Sequence, residues 1–74
     1  MIEQKLREAL MTGNVLLDFE KVDGENRILV GTLATCTEEE QLSAINDDLV
    51  HVWDVDGSSW KTFKPSRLNS WQAV

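Results

Sequence analysis

Between Trp60 and Arg67 the chain reads Trp-Lys-Thr-Phe-Lys-Pro-Ser-Arg, three cations interleaved with two aromatic rings. Cations in such a run can hold a phosphate or carboxylate while a ring stacks on a base or fills a partner's pocket. Trp60, Lys61, Thr62, Lys64 and Arg67 are therefore the candidate ligand or partner contacts. On a strand, Trp60, Thr62 and Lys64 share one face and Lys61 and Phe63 the other. The same cations also fit ordinary solvated positions paired with nearby acids, an arrangement worth little energy.

No other residues form a reactive set. Catalysis by a nucleophile needs a base and an orienting group beside it. His51 is the one histidine and Cys36 the one cysteine, and neither has a partner at useful spacing. Cys36 reads as a passive loop or strand-end residue, since a reactive thiol needs an activating neighbour. Structural zinc wants several thiolate or imidazole ligands, which the chain cannot supply. Glu38, Glu39 and Glu40 with Asp47 and Asp48 lack the alternation and central glycine of a calcium loop, and read as a solvated acidic rim. A phosphate-cradling glycine loop is also missing. The expectation is a non-enzymatic protein with no catalytic residue, no metal and no cofactor.

Charge restricts the partners further. Residues 1–48 hold eleven acids against four bases, and residues 49–74 hold two acids against three bases, for a net charge of −6. That balance opposes binding to a long polyanion, which depends on Lys and Arg displacing counterions. It suits solubility or a basic partner. No apolar run approaches the length of a membrane span. The start, Met1 to Leu10, carries Glu3, Lys5, Arg7 and Glu8 and lacks the apolar centre of a signal peptide. A cytoplasmic protein with no membrane partner is expected.

The elements that must position Trp60–Arg67 follow from periodicity. Ile2, Leu6, Ala9 and Leu10 fall on one face of a helix over 2–12, with Gly13 as a left-handed stop. Val15, Leu17 and Phe19 alternate along a strand over 14–22, and Asp23-Gly24 turns it back. The return strand over 27–34 puts Ile28, Val30 and Thr32 on one face, and Gly31 marks a bend or bulge. Thr37 with Glu40 forms a capping box, and Leu42 and Ile45 then seat a helical turn or two on the core. A strand over 49–55 puts Leu49, His51, Trp53 and Val55 on one side and Val50, Val52 and Asp54 on the other. Asp56–Ser59 turns into a strand over 60–64. Pro65-Ser66-Arg67 breaks this as a 3₁₀ turn, and a last strand runs over 68–73. Trp53 is assigned to the core, whereas Trp60, beside a turn and in line with Thr62 and Lys64, fits a core position and a binding surface alike. The fold class is mainly β with an N-terminal helix, a single five-stranded SH3/Sm-like barrel over 1–74, whose closure removes most of the exposed edges that invite aggregation.

One family resemblance overlies these readings. Val52-Trp53-Asp54, then Gly57 to Leu68, resembles the end of WYL-like domains, where a Trp–basic–Ser/Thr–Phe–basic run precedes an Arg–aliphatic pair. Val15–Phe19, Lys21–Gly24, Arg27 and Gly31–Leu33 are similar to the small Sm-like/SH3-barrel relatives carried by tailed bacteriophages. The likeness covers most of the chain except residues 35–48. It implies an SH3/Sm barrel, a phage origin and no enzyme activity. In full WYL domains the fold is a ligand-sensing module whose basic and aromatic side chains face nucleic-acid or nucleotide ligands. This chain has no tyrosine, so the Trp-Tyr-Leu triplet is absent.

The function expected is that of a small phage accessory or regulatory protein that binds a host or phage protein in the host cytoplasm. The alternative is a nucleic-acid or nucleotide-binding module using the Trp60–Arg67 surface. A homo-oligomer built by pairing edge strands is a third reading.

Overall fold

The structure, a computed structural model, describes residues 4–46 and 48–74. Helix α1 (Gln4–Thr12) leads into β1 (Asn14–Glu20) and β2 (Asn26–Thr32); α2 (Glu38–Ala44) precedes β3 (Val50–Asp54) and β4 (Ser59–Phe63). A 3₁₀ turn (Pro65–Arg67) then carries the chain to β5 (Leu68–Ala73). The helix, the five strands and the 3₁₀ break lie where periodicity places them, within a residue or two at most ends. Ile2 of the expected first helix and Asp47 of the acidic rim lie outside the described residues. Among the described residues no helix is long and apolar enough to cross a membrane.

The five strands form one antiparallel sheet in the order β4-β3-β2-β1-β5. β1 pairs with β2 from Asn14↔Thr32 to Glu20↔Asn26 and on its other side with β5, where the register shifts between Asp18 and Phe19. β2 meets β3 at only two positions, Gly31↔Asp54 and Thr32↔Trp53. The sheet thus folds into two leaves, β5-β1-β2 and β3-β4, hinged at Gly31 and Thr32. Gly31 is the reason the leaves can close: an ideal Cβ there would stand 2.9 Å from Val52 Cγ2 and 3.2 Å from Leu17 Cδ1. A side chain at this position would occupy space already filled by the core.

Expected closure is incomplete. β4 and β5 are the two ends of the strand order, and the 3₁₀ turn delivers β5 to β1 instead of to β4. The sheet is an SH3/Sm-like barrel by topology, but each of these strands keeps one backbone edge unpaired among the described residues.

The core lies between the leaves. Val15, Leu17 and Phe19 from β1, Leu29 from β2, Val50 and Val52 from β3 and Phe63 from β4 are buried, with Leu6 and Leu10 of α1 covering one end. Each such side chain contributes about 1.5–3 kcal/mol by leaving water, so a helix too short to persist alone is held by its Leu6–Leu10 stripe. Ile28, Val30 and Thr32 face away from Leu29 and Gly31. Ile28 is exposed there, whereas Thr32 is buried beneath the α1–β1 junction.

Three sequence expectations change. Gly13 is not left-handed, since positive φ among the described residues belongs to Gly24 (91°) and Ser58 (50°). The helix ends with the Gly13 amide still bonded to Ala9 O at 3.0 Å, and the chain goes directly into β1. Leu42 is 70% exposed and the small Ala44 is buried in its place, with Ile45 packed against the core. A seven-residue helix beside β3 has room for one close contact, and Ala44 allows the nearer approach. Trp53 is not a core residue. The fully buried Val50 and Val52 take the inner face of β3, so alternation turns Trp53 outward against Trp60.

Thr32 ties the elements together. Its hydroxyl donates to Gly13 O at 2.8 Å and accepts from the Ala34 amide at 3.0 Å. The Leu33 amide donates to Leu10 O at 2.9 Å, and Gln41 Nε2 donates to Leu33 O at 2.7 Å. Thr32→Val keeps the volume and strands both partners of the hydroxyl, with an expected loss of about 1–3 kcal/mol. Urea unfolding followed by tryptophan fluorescence measures it, and an unchanged midpoint would show the bonds to be dispensable.

Candidate functional site

Two depressions adjoin β4, and together they contain four of the five residues singled out by type. The larger, about 450 Å³, opens between the β1–β2 hairpin tip, the start of β3 and the end of β4. Its floor is Phe19 and Phe63, stacked with centroids 5.3 Å apart and planes at 28°. Leu49, Thr62 and Val22 complete the apolar wall, and Glu20, Lys21, Asp23, Lys64 and Arg67 ring the mouth. That combination, an apolar interior with a few charged groups, is the usual composition of a ligand pocket.

The hairpin tip forms its wall for local reasons. Lys21 N donates to Glu25 O at 2.7 Å and Gly24 N to Lys21 O at 2.9 Å. This is the bonding of a three-residue connection closed by a bulge glycine, which needs the positive φ that Gly24 adopts. Asp23 Oδ1 accepts from the Glu25 amide at 3.0 Å. That amide bond, aided by the Lys21 ammonium and opposed by slight desolvation, holds the Asp23 carboxyl below its ordinary value. A depressed folded value stabilises the loop above the unfolded value, about 3.9, and the contribution is lost as pH falls through the folded one. The Asp23 carboxyl carbon, followed by NMR, should titrate below an unfolded reference. The Glu25 amide should shift with it, and Asp23→Asn should abolish both.

The cations differ in their engagements. Lys21 Nζ lies 3.6 Å from Asp23 Oδ2 and 3.9 Å from Glu25 Oε2. Arg67 Nη1 lies 3.8 Å from Glu20 Oε1 and donates a long 3.4 Å bond to Lys21 O. Lys64 is exposed and has no ion-pair partner among the described residues. Lys61 is turned to the other face of β4, opposite Val52, where its Nζ donates to Ser59 Oγ at 2.9 Å. Of the candidates, the fold therefore gathers Thr62, Lys64 and Arg67 at one pocket and separates Lys61 from them.

Trp60 belongs to the smaller depression, about 300 Å³, with Glu40, Ser43, Ala44 and His51. It is 41% exposed and meets Trp53 edge to face at 5.7 Å and 79°. Between the two depressions, His51 Nδ1 lies 2.7 Å from Thr62 Oγ1. No carboxylate bonds the other ring nitrogen among the described residues, so the pair is a cross-strand bridge without the third group of a catalytic set.

The remaining reactive residues have structural surroundings. The Cys36 thiol is pushed up in pKa first by burial and then by the Glu40 charge. It stays protonated near neutrality, unlike a nucleophile. The capping box is present: Glu40 N donates to Thr37 Oγ1 at 3.1 Å, and Thr37 N donates to Glu40 Oε1 at 2.9 Å. Among the described residues no three His, Cys, Asp or Glu side chains are grouped to hold a metal ion. On the outer face of β1, Asn26 Nδ2 donates to Asp18 Oδ1 at 2.7 Å and Asn69 Nδ2 to Asn26 Oδ1 at 2.8 Å. These bonds tie β2 to β5 beside the register shift.

Phe19, Val22 and Leu49 were not among the site residues expected from sequence, because each reads as a strand or turn residue on its own. The His51–Thr62 pair was legible in principle. Once the loop Val55–Ser58 sets Asp54 opposite Ser59, the register brings His51 opposite Thr62.

No curated protein and no solved structure matches the chain. A family model does, that of WYL_2, described as an Sm-like SH3 β-barrel fold, over residues 3–69. The match spans α1, all of β1 to β4, the 3₁₀ turn and the start of β5, including every lining residue of both depressions, and the chain belongs to the WYL_2 family of Sm-like SH3 barrels.

Proposed function

We propose that the chain is a non-enzymatic accessory protein of a tailed phage that binds a host or phage protein in the cytoplasm of the infected cell. An Sm-like SH3 barrel is a fold suited to a small binding module, and the chain has that fold. The observation that carries the reading is the open, apolar pocket floored by Phe19 and Phe63. The net charge of −6 favours a folded protein surface over a long polyanion as the partner. Affinity capture from lysates of infected and uninfected cells tests the role, with a charge-matched protein as control. Specific enrichment of one protein is expected, and its absence from both lysates would sink the reading.

A second reading rests on Trp60, exposed beside His51 and in line with Thr62 and Lys64. It is a nucleotide or short single-stranded ligand stacked on the indole. Fluorescence titration at low salt with oligonucleotides and nucleotides separates the two. Quenching that disappears in Trp60→Ala would favour this second reading, and its absence would leave the protein-binding role. The unpaired edges of β4 and β5 support the third reading, a homo-oligomer, which sedimentation at high concentration decides.

A further inference from the structure

The groups around the larger pocket differ in what they leave unsatisfied. Lys21 is held between Asp23 and Glu25, and Arg67 lies against Glu20. That leaves Lys64 as the one cation at the mouth without an acid partner among the described residues. Beneath it the pocket is closed by the Phe19–Phe63 stack, and above it Val22 stands 83% exposed at the hairpin tip. A single uncompensated positive charge beside an apolar cavity complements a ligand that is mostly apolar and carries one negative group nearby.

The rest of the mouth selects among such ligands. A nucleotide polyphosphate brings several negative charges to a rim that already holds Glu20 and Asp23, with Lys64 as the one cation there without an acid partner among the described residues. An extended peptide brings one carboxylate at a time. It also has backbone groups to satisfy, and β4, which supplies Thr62 and Phe63 to the pocket, is an edge strand. Addition of a strand to such an edge gives main-chain hydrogen bonds, while pockets for alternate side chains give specificity.

We infer that the pocket receives an extended segment of a partner protein, with one large apolar side chain over the Phe19–Phe63 stack and an adjacent acidic residue bonded to Lys64. This rests on the protein-binding reading and names the chemistry of the partner. The surface is a docking site for acidic–apolar sequence, even though the whole chain is itself acidic; recognition is local, set by Lys64 and the cavity beneath it.

The probe is a blocked pentapeptide, Gly-Glu-Phe-Glu-Gly, titrated into ¹⁵N-labelled protein and followed by amide shifts. Saturable shifts are expected at Val22, Leu49, Thr62 and Lys64. Binding should weaken about tenfold when both glutamates become lysine or the phenylalanine becomes alanine, and about threefold to tenfold in Lys64→Gln. Lys64→Gln alters an exposed side chain, so its amide spectrum should otherwise match the wild type. The inference is overturned if no pocket amide shifts at millimolar peptide, or if the lysine peptide binds equally well. It is also overturned if the same amides shift on concentrating the protein alone, because then a second copy occupies the edge. A partner protein captured equally well by wild type, Lys64→Gln and Val22→Ser would leave the binding role intact and place it elsewhere. Peptide binding at the pocket without any captured partner would do the reverse.

Discussion

Gly31→Val is expected to cost about 3 kcal/mol of folding stability and Gly31→Ala about 1–2 kcal/mol, the range for forcing extra carbon atoms into a packed core. The cause is the hinge between the two leaves of the sheet. A Cβ at residue 31 would meet Val52 Cγ2 at 2.9 Å and Val52 Cβ at 3.1 Å, with Leu17 Cδ1 at 3.2 Å behind them. All three neighbours belong to fully buried side chains. Val52 has one stiff rotatable bond and cannot swing aside. The leaves must separate, and a small domain with a net stability of about 5 kcal/mol loses much of it. Denaturant unfolding measures the loss, and a double mutant assigns it. Val52→Ala made in the Gly31→Ala background should cost less than Val52→Ala alone, because the cavity it opens receives the added methyl. Strict additivity would refute the close-approach account.

Phe63→Ala is expected to be the most damaging truncation, at about 3–5 kcal/mol, the range for removing a buried phenylalanine. Phe63 is 3% exposed and stacked on Phe19, so its loss leaves the last β1 core residue without its ring partner. It also removes half the pocket floor. Phe63→Leu keeps most of the volume and should cost less than about 1.5 kcal/mol. The pair separates stability from binding, since only the leucine variant is expected to remain folded. A thermal transition of Phe63→Ala within a few degrees of wild type would show that the stack contributes little.

The strands were readable from particular residues. Val15, Leu17 and Phe19 alternate with polar or half-buried neighbours, and that alone places β1 and its inner face. Asp23-Gly24 sets the first hairpin because only glycine readily takes the φ of 91° found there. Thr37 and Glu40 mark the start of α2 through two reciprocal bonds that any such pair makes at that spacing. The errors have one common source: tertiary packing chose among residues that local patterns treat alike. Leu42 looked like the anchor of α2 by size, but the close approach to β3 admits Ala44. Trp53 looked like core because it is large and apolar, but two valines already fill the inner face of β3. Gly13 has the type of a left-handed stop, but the next strand starts too soon for the chain to reverse.

The candidate site was half readable. Thr62, Lys64 and Arg67 lie within six positions of one another, and composition alone drew attention to them. Phe19 and Val22 come from one segment and Leu49 from another, all distant from Lys64 in sequence. Phe19 and Val22 meet Lys64 because β1 and β4 belong to different leaves that fold onto each other at Gly31, and Leu49 meets it because β3 pairs with β4, with Val50 opposite Phe63. Lys61 lies beside Thr62 in sequence and still points away from it, as strand alternation requires.

The pairing of Trp53 with Trp60 has an optical consequence. Two indoles held at 5.7 Å and 79° have electronic transitions close enough to couple, and the coupled pair absorbs left and right circularly polarised light unequally, with opposite sign on either side of the absorption maximum. The β3–β4 hairpin therefore carries its own chromophore, distinct from the helix signal and from Trp71 across the sheet. Its circular dichroism couplet should vanish in Trp60→Phe while the rest of the spectrum persists. In the unsubstituted chain the couplet reports when this leaf of the sheet assembles, without any added label.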